Sequence, residues 1–65
     1  MILNGSQTRL YWALIDSIWL THPLYAPHMT RWLTIQACSV VWPDCSVYDA
    51  VIVTERLYHE GRIRG

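Results

Sequence analysis

The side chains with the greatest chemical potential in this sequence are two cysteines and three histidines, which could bind a metal ion or form a reactive thiolate pair. Cys38 and Cys45 are seven positions apart, whereas the paired cysteines of structural zinc sites are about two to four positions apart. His22, His28 and His59 are scattered along the chain, and their spacing orients no imidazole towards a thiol. We therefore expect two free thiols, no metal site and no cofactor.

The acidic residues and glycines do not form a catalytic pattern either. The aspartates and glutamates have no paired spacing beyond helix capping and surface charge, and the three glycines are too dispersed for a phosphate-binding loop. A chain of 65 residues also has little room for a pocket that encloses a substrate. The sequence therefore predicts that the protein is not an enzyme and has no small-molecule substrate.

Apolar residues make up 52% of the chain and include four tryptophans and four tyrosines, whereas only 15% of the residues are charged. A domain of this size buries only about 60% of the surface that its unfolded chain exposes. Some apolar side chains must therefore stay on the surface, where large apolar patches mark interfaces. We expect a homodimer or a tight complex with another protein.

The charges balance, because five arginines match five acidic residues and the chain contains no lysine. A neutral chain lacks the basic field that is typical of nucleic-acid-binding domains. Arg56, Arg62 and Arg64 nevertheless fall within the last ten residues. The sequence therefore predicts a local basic patch without a basic domain.

The sequence gives no sign of secretion or of a membrane. Its first residues lack the basic region and the small-residue cleavage site of a signal peptide. Its longest apolar run is far shorter than the roughly 20 residues that span a bilayer. We expect a soluble, cytoplasmic protein with no membrane contact.

The first helix is predicted to run from Ser6, as its N-cap, to about Leu20. Leu10, Leu14 and Ile18 form an apolar stripe at intervals of four residues. Further apolar residues lie beside this stripe, and so small a chain cannot bury both faces. We therefore predict that the first helix forms the seam of a homodimer. The predicted interface residues are Tyr11, Trp12, Ile15 and Trp19.

The second helix is predicted from about Pro27 to Cys38, because proline suits the first position of a helix. Residues 39–45 break it, and Trp42 is expected to anchor this turn in the core. The residues predicted on one face of this helix are Met29, Trp32, Leu33 and either Gln36 or Ala37.

The third helix is predicted from about Val47 to Glu60, between Ser46 as the N-cap and Gly61, which suits the left-handed position after a helix. Residues 51–53 would also suit a strand, but the caps and the period agree on a helix. The residues predicted on its inner side are Val47, Ala50, Val51, Thr54, Leu57 and Tyr58. After this helix, residues 62–64 are expected to pair as a short strand with residues 2–3.

Residues 42–63 resemble the junction between the recognition helix and the wing of winged helix-turn-helix domains. The positions that match the family's small apolar contact, terminal leucine, glycine and first wing strand are Ala50, Leu57, Gly61 and Ile63. Thr54 departs from the branched apolar residue that is usual at its position. The resemblance implies one mainly α domain over residues 1–65, built as a three-helix, minimal winged helix-turn-helix with a short terminal β pairing.

The same resemblance implies a small DNA-binding transcriptional regulator of phage or mobile-element type that acts as a homodimer. Its third helix would enter the major groove of duplex DNA, and the arginines after it would hold phosphates. On that helix face Arg56 suits base contact, whereas Asp49 and Glu55 would repel phosphates. The predicted DNA-contacting residues are Ser46, Tyr48, Arg56, His59, Arg62 and Arg64.

A second hypothesis is a small protein-binding module, or a phage-type inhibitor of a host protein, that makes no DNA contact. Such a protein needs no basic patch and tolerates Asp49 and Glu55 on an exposed helix face. It also accounts for the surplus of tryptophan and tyrosine, which are enriched at the binding hot spots of protein interfaces.

Overall fold

The computed structural model describes residues 2–65, which form four helices and one 3₁₀ turn. The elements are α1 (Gly5–Ile15), α2 (Ile18–Thr21), the 3₁₀ turn (Ala26–His28), α3 (Arg31–Val41) and α4 (Val47–His59). The three long helices α1, α3 and α4 pack against one another around a single core. Within residues 2–65 there is no β-strand, and no helix is long and apolar enough to cross a membrane.

Helix α1 begins earlier and ends earlier than predicted. Its N-cap is Asn4 rather than Ser6, and a reciprocal capping box joins Asn4 to Gln7 through bonds of 2.8 and 3.1 Å. The helix ends at Asp16, and the Ser17 hydroxyl donates to the Leu14 carbonyl at 2.6 Å. Aspartate and serine compete with helical bonding in this way. The single helix predicted to Leu20 is therefore divided into α1 and the short α2.

The second predicted helix is displaced along the chain. Pro27 lies in the 3₁₀ turn, and α3 starts after Thr30, whose side chain accepts a hydrogen bond from the Leu33 amide at 3.2 Å. Threonine provides the N-cap oxygen that the segment around Pro27 lacks. Helix α3 also continues past Cys38 to Val41.

The predicted ends of the third helix are confirmed. Ser46 accepts a hydrogen bond from the Asp49 amide at 3.0 Å, and α4 ends one residue before Glu60. Gly61 has a φ of +75°, and the amide of Arg62 donates to the Leu57 carbonyl at 3.0 Å. This pair of features is the Schellman ending of a helix, which favours glycine.

The buried stripe of α4 is rotated relative to the prediction. Val53 is fully buried, whereas Val47 is 76% exposed and Val51 is also on the surface. The buried residues are Ala50, Val53, Thr54 and Leu57, which have the helical spacing i, i+3, i+4, i+7. The prediction had the correct helical period, but it placed the buried stripe too far round the helix, on the side that carries Val47 and Val51.

The inward face of α3 consists of small residues, and the predicted apolar face is only partly buried. Thr34, Ala37 and Cys38 are buried, while Trp32 is 67% exposed and Leu33 is 40% exposed. Small side chains allow α3 to approach its neighbours closely. The large side chains are consequently displaced to the surface of α3. Met29 and Ala37 are buried and Trp42 is partly buried against the core, as predicted.

The predicted pairing between residues 62–64 and 2–3 is wrong. The chain after Gly61 runs to the segment before α3, where the amide of Arg64 donates to the Met29 carbonyl at 2.8 Å. The β-type contact here is an isolated parallel bridge between Thr30 and Arg64. Ile63 is buried by this contact, so the end of the chain closes the core and forms no wing.

The chain packs as tightly as an ordinary monomer of its mass. Its accessible surface is 4271 Å², against about 4,300 Å² expected at 7.6 kDa. Its radius of gyration is 10.5 Å, against about 10.7 Å expected for this length. The chain therefore has the surface area and the radius of a compact monomer, although many large apolar side chains remain exposed.

Candidate functional site

An open apolar groove with a volume of about 440 Å³ lies between α3 and the segment that precedes it. Its lining residues are Trp19, Leu24, Tyr25, His28, Met29, Leu33, Gln36, Ala37, Ser39 and Val40. None of these ten residues is an aspartate, glutamate, lysine or arginine. The groove is therefore a mainly apolar surface, and its polar side-chain groups are one imidazole, one amide, two hydroxyls and one indole N–H.

One wall of the groove is a face of α3. Leu33, Gln36 and Val40 are separated by three and four residues, so their side chains follow one another over two turns of the helix. Leu33 is 40% exposed and Val40 is 63% exposed. This face lies outward because the buried residues Thr34 and Cys38 occupy the opposite side of α3.

The other wall is a fixed turn that spans residues 22–28. The His22 carbonyl accepts hydrogen bonds from the amides of Tyr25 and Ala26, each at 3.0 Å. The His22 ring accepts a further hydrogen bond from the Leu24 amide at 3.1 Å and lies 5.2 Å from the Tyr25 ring. These contacts fix the backbone of the turn that carries the exposed residues Leu24 and Tyr25, so this wall of the groove has a preformed backbone.

The floor of the groove belongs to the core. Met29 and Ala37 are each at most 5% exposed, and Trp19 is partly buried against the core cluster. The Met29 carbonyl is held by the amide of Arg64. This hydrogen bond therefore connects the floor of the groove to the segment after α4.

Two of the predicted DNA-contacting arginines are bound to one carboxylate. Glu60 Oε2 accepts from Arg56 Nε at 3.1 Å, and Glu60 Oε1 accepts from Arg62 Nε at 3.3 Å. The Tyr11 hydroxyl donates to Glu60 Oε1 at 2.6 Å. This bond, assisted by both guanidinium groups, lowers the pKa of Glu60, and the same bond raises the pKa of Tyr11. We call Tyr11, Arg56, Glu60 and Arg62 the Glu60 cluster.

The other predicted DNA-contacting residues lie at different ends of α4. Ser46 caps the start of the helix, and Tyr48 beside it is 69% exposed. His59 lies at the opposite end, with Nε2 3.8 Å from Glu55 Oε2. Arg64 Nη1 donates to the Pro27 carbonyl at 3.4 Å. The structure brings Arg56 and Arg62 together but does not gather all six residues into one surface.

The four residues predicted for a dimer seam have different surroundings. Tyr11 is only 8% exposed and belongs to the core of the monomer, whereas Trp12 is 55% exposed. The two rings meet edge to face, with centroids 5.2 Å apart. Ile15 and Trp19 are partly buried against the core, and Trp19 also lines the groove. The homodimer itself stays a prediction.

The thiols lie in surroundings that suppress their reactivity. Cys38 is fully buried, and burial raises the pKa of its thiol to about 11. Burial, and then the nearby Asp49 carboxylate, also raise the pKa of Cys45. Both thiols are therefore protonated near neutral pH, and a thiolate is the form that attacks or binds metals. Among residues 2–65, no three histidine, cysteine or acidic side chains are grouped as a metal ion would require.

Most of the groove was not predicted as a site from the sequence. Of its ten lining residues, only Trp19 was assigned to an interface. A usable signal was present, since Leu24 and Tyr25 are two large apolar residues between Pro23 and Pro27. Prolines favour an exposed turn, in which such side chains cannot reach the core.

No protein-family model, no curated protein and no solved structure matches this chain.

Proposed function

We propose that this protein is a small protein-binding module that captures an apolar segment of another protein in the groove. The observation that carries the proposal is an open apolar groove, in a domain that is already as compact as a monomer of its mass. Exposed apolar patches on well-packed domains mark interaction sites. Leu24 and Val40, which are 72% and 63% exposed, would gain most from being covered.

The chemistry of the groove selects among classes of partner. Nucleic acids and lipid headgroups would bring phosphates to a surface that offers no arginine or lysine. Burying such charges without a partner is unfavourable. An apolar protein segment brings no such charge, and the aromatic rings of Trp19 and Tyr25 provide the rigid contact area that is typical of protein interfaces.

Selection from a displayed library of random peptides tests this proposal. The folded domain serves as bait, and binding of each enriched peptide is compared between the wild type and Val40→Lys. The lysine places a charge on the groove wall, near the end of α3 where a cation suits the helix dipole. We expect enriched peptides that bind the wild type and lose at least about tenfold in affinity for Val40→Lys, since a buried unpaired charge is costly.

Val47→Glu is the matched control. Val47 is 76% exposed at the first position of α4, lies outside the groove, and can carry an acidic residue that suits the helix dipole there. Peptides should bind this variant as they bind the wild type. If no peptide is enriched, or if Val40→Lys binds as well as Val47→Glu, the groove is not a protein-binding site.

DNA binding by α4 is the second candidate, and the proximity of Arg62 and Arg64 to the end of that helix favours it. Two features weigh against it. The Glu60 carboxylate already engages Arg56 and Arg62. Helices α3 and α4 also touch far from their connecting turn, where Arg31 pairs with Glu55 at 3.2 Å. The helices of a helix-turn-helix cross at about 90–120° and diverge away from the turn.

A salt titration on random duplex DNA tests the second candidate directly. Contacts with several phosphates would make the affinity fall steeply as salt rises. Arg62→Gln should then reduce both the affinity at low salt and the salt dependence. No detectable binding at low salt would eliminate DNA as the partner.

A further inference from the structure

The dimensions of the groove indicate the form of its occupant. The wall formed by Leu33, Gln36 and Val40 spans eight residues of α3, and the seven steps between the first and the last correspond to about 10.5 Å along the helix axis. An α-helix with its side chains has a diameter of about 10–12 Å and presents an apolar stripe along one side. Two turns of a helix could therefore lie in the groove and place their stripe against this wall.

The number of groove residues argues against a second copy of this chain as the occupant. A standard interface uses about 20–30 residues and about 800 Å² on each side, and the full surface here is only 4271 Å². The groove has ten lining residues. A symmetric dimer through this site would also set one concave surface against an identical one, which would leave the apolar floor uncovered.

The polar groups of the groove specify the occupant further. His28 and Gln36 are exposed, and Ser39 donates its hydroxyl proton to the Gln36 carbonyl at 2.9 Å. These side chains are hydrogen-bonding groups beside an apolar surface, and none of them is a carboxylate, guanidinium or ammonium group. They suit a helix whose apolar stripe is flanked by neutral polar residues, and they offer nothing to pair with a charged residue inside the stripe.

On the basis of the proposed function, we infer that the occupant is an amphipathic helix of a different protein, with an uncharged apolar stripe about two turns long. Its anchor side chains lie between the turn that carries Leu24 and Tyr25 and the α3 wall that carries Leu33 and Val40. The helix is a separate chain, and it folds on the groove or arrives already folded.

Synthetic peptides test this inference. The first probe is a peptide of about 16 residues, built from alanine and glutamine, with leucines at positions i, i+4 and i+7, because such lengths populate helix in water. The second probe is the same peptide with a proline in its centre, which breaks the helix. The third has its leucines redistributed so that they form no stripe. Binding is followed by amide and methyl chemical shifts of the labelled domain.

We expect the first peptide to shift Leu33 and Val40 in a saturable way and to bind at least about tenfold more tightly than the proline and redistributed peptides. Val40→Lys and Leu33→Gln should each abolish the shifts, and Val47→Glu should leave them unchanged. Two groove variants are used so that misfolding of one, seen by circular dichroism, does not remove the test.

The outcomes separate the inference from the proposed function. Equal binding of the helical and proline peptides would overturn the inference and leave a protein-binding groove for an extended segment. The inference is also overturned, and the proposed function kept, if library-derived peptides bind the groove while all leucine-stripe peptides fail. Failure of every peptide, with no effect of either groove variant, would overturn both.

Discussion

At the scale of single residues, Glu60 has the largest number of polar contacts in the Glu60 cluster, and the bond from Tyr11 links it to a distant part of the chain. It accepts hydrogen bonds from Tyr11 on α1, from Arg56 on α4 and from Arg62 beyond the helix. Because the pKa of Glu60 is lowered in the folded state, its charged form stabilises the fold above its ordinary pKa of 4.5. This contribution is lost as the pH falls through the folded pKa, which lies below that value.

Glu60→Gln should therefore lower the free energy of unfolding at neutral pH by about 1 kcal/mol, a value kept small because the side chain is one-third exposed. The difference from the wild type should shrink as the pH drops below 4.5. Urea unfolding across this range measures it. Tyr11→Phe keeps the carboxylate but removes the hydrogen bond that lowers the pKa of Glu60 most, so it should show a smaller pH-dependent loss of the same sign. A difference that is independent of pH would show that the Glu60 charge does not stabilise the fold.

Thr54 is the second residue for which the structure makes a specific prediction. Its hydroxyl is buried and makes no hydrogen bond of standard geometry within residues 2–65, and the Cys38 thiol beside it is only a weak partner. Thr54→Val keeps the shape and removes the polar group, so it should raise the free energy of unfolding by about 1 kcal/mol. Thr34→Val is the matched control, because the buried Thr34 hydroxyl donates to the Thr30 carbonyl at 2.7 Å. Chemical denaturation should show that Thr54→Val raises the free energy of unfolding and that Thr34→Val lowers it. Equal changes in the two variants would contradict this explanation.

At the scale of elements, the ending of α4 depends on the left-handed conformation of Gly61. A Cβ at this position would meet no atom within 4 Å, so the backbone angle alone opposes substitution. Gly61→Ala should lower the free energy of unfolding by about 1 kcal/mol. Gly5→Ala is the control, because Gly5 lies in the first turn of α1 with equally open space. Alanine there should stabilise the protein, and a thermal melt should separate the two variants.

The elements also show which features of this fold could be predicted from its sequence. Local signals were sufficient at α4, where Ser46 and Gly61 mark both ends. They were insufficient where the outcome depends on packing between distant segments. The small residues of α3 face the core and Trp32 faces solvent, because helix contact distance, rather than hydrophobicity, decided its orientation. The α3 wall of the groove could not be predicted for the same reason, since Leu33 and Val40 are side chains that this packing left on the surface.

At the scale of the whole molecule, the remaining question is whether the protein self-associates. Of the residues predicted for a homodimer seam, Tyr11 is in the core and Trp19 lines the groove, which leaves Trp12 as the large exposed side chain. A single exposed residue is far fewer than the roughly 20 residues that each side of a standard interface uses. The surface area and radius also match those of a monomer.

We therefore expect light scattering at micromolar concentration to give a mass of 7.6 kDa. Trp12→Ala should leave this mass unchanged and cost less stability than the about 3–5 kcal/mol typical of a fully buried tryptophan, because the side chain is 55% exposed. A wild type of twice that mass, which Trp12→Ala converts to monomer, would establish the homodimer predicted from the first helix. In a monomer, the exposed apolar side chains of the groove have no second copy to cover them, which leaves the groove open to the partner proposed above.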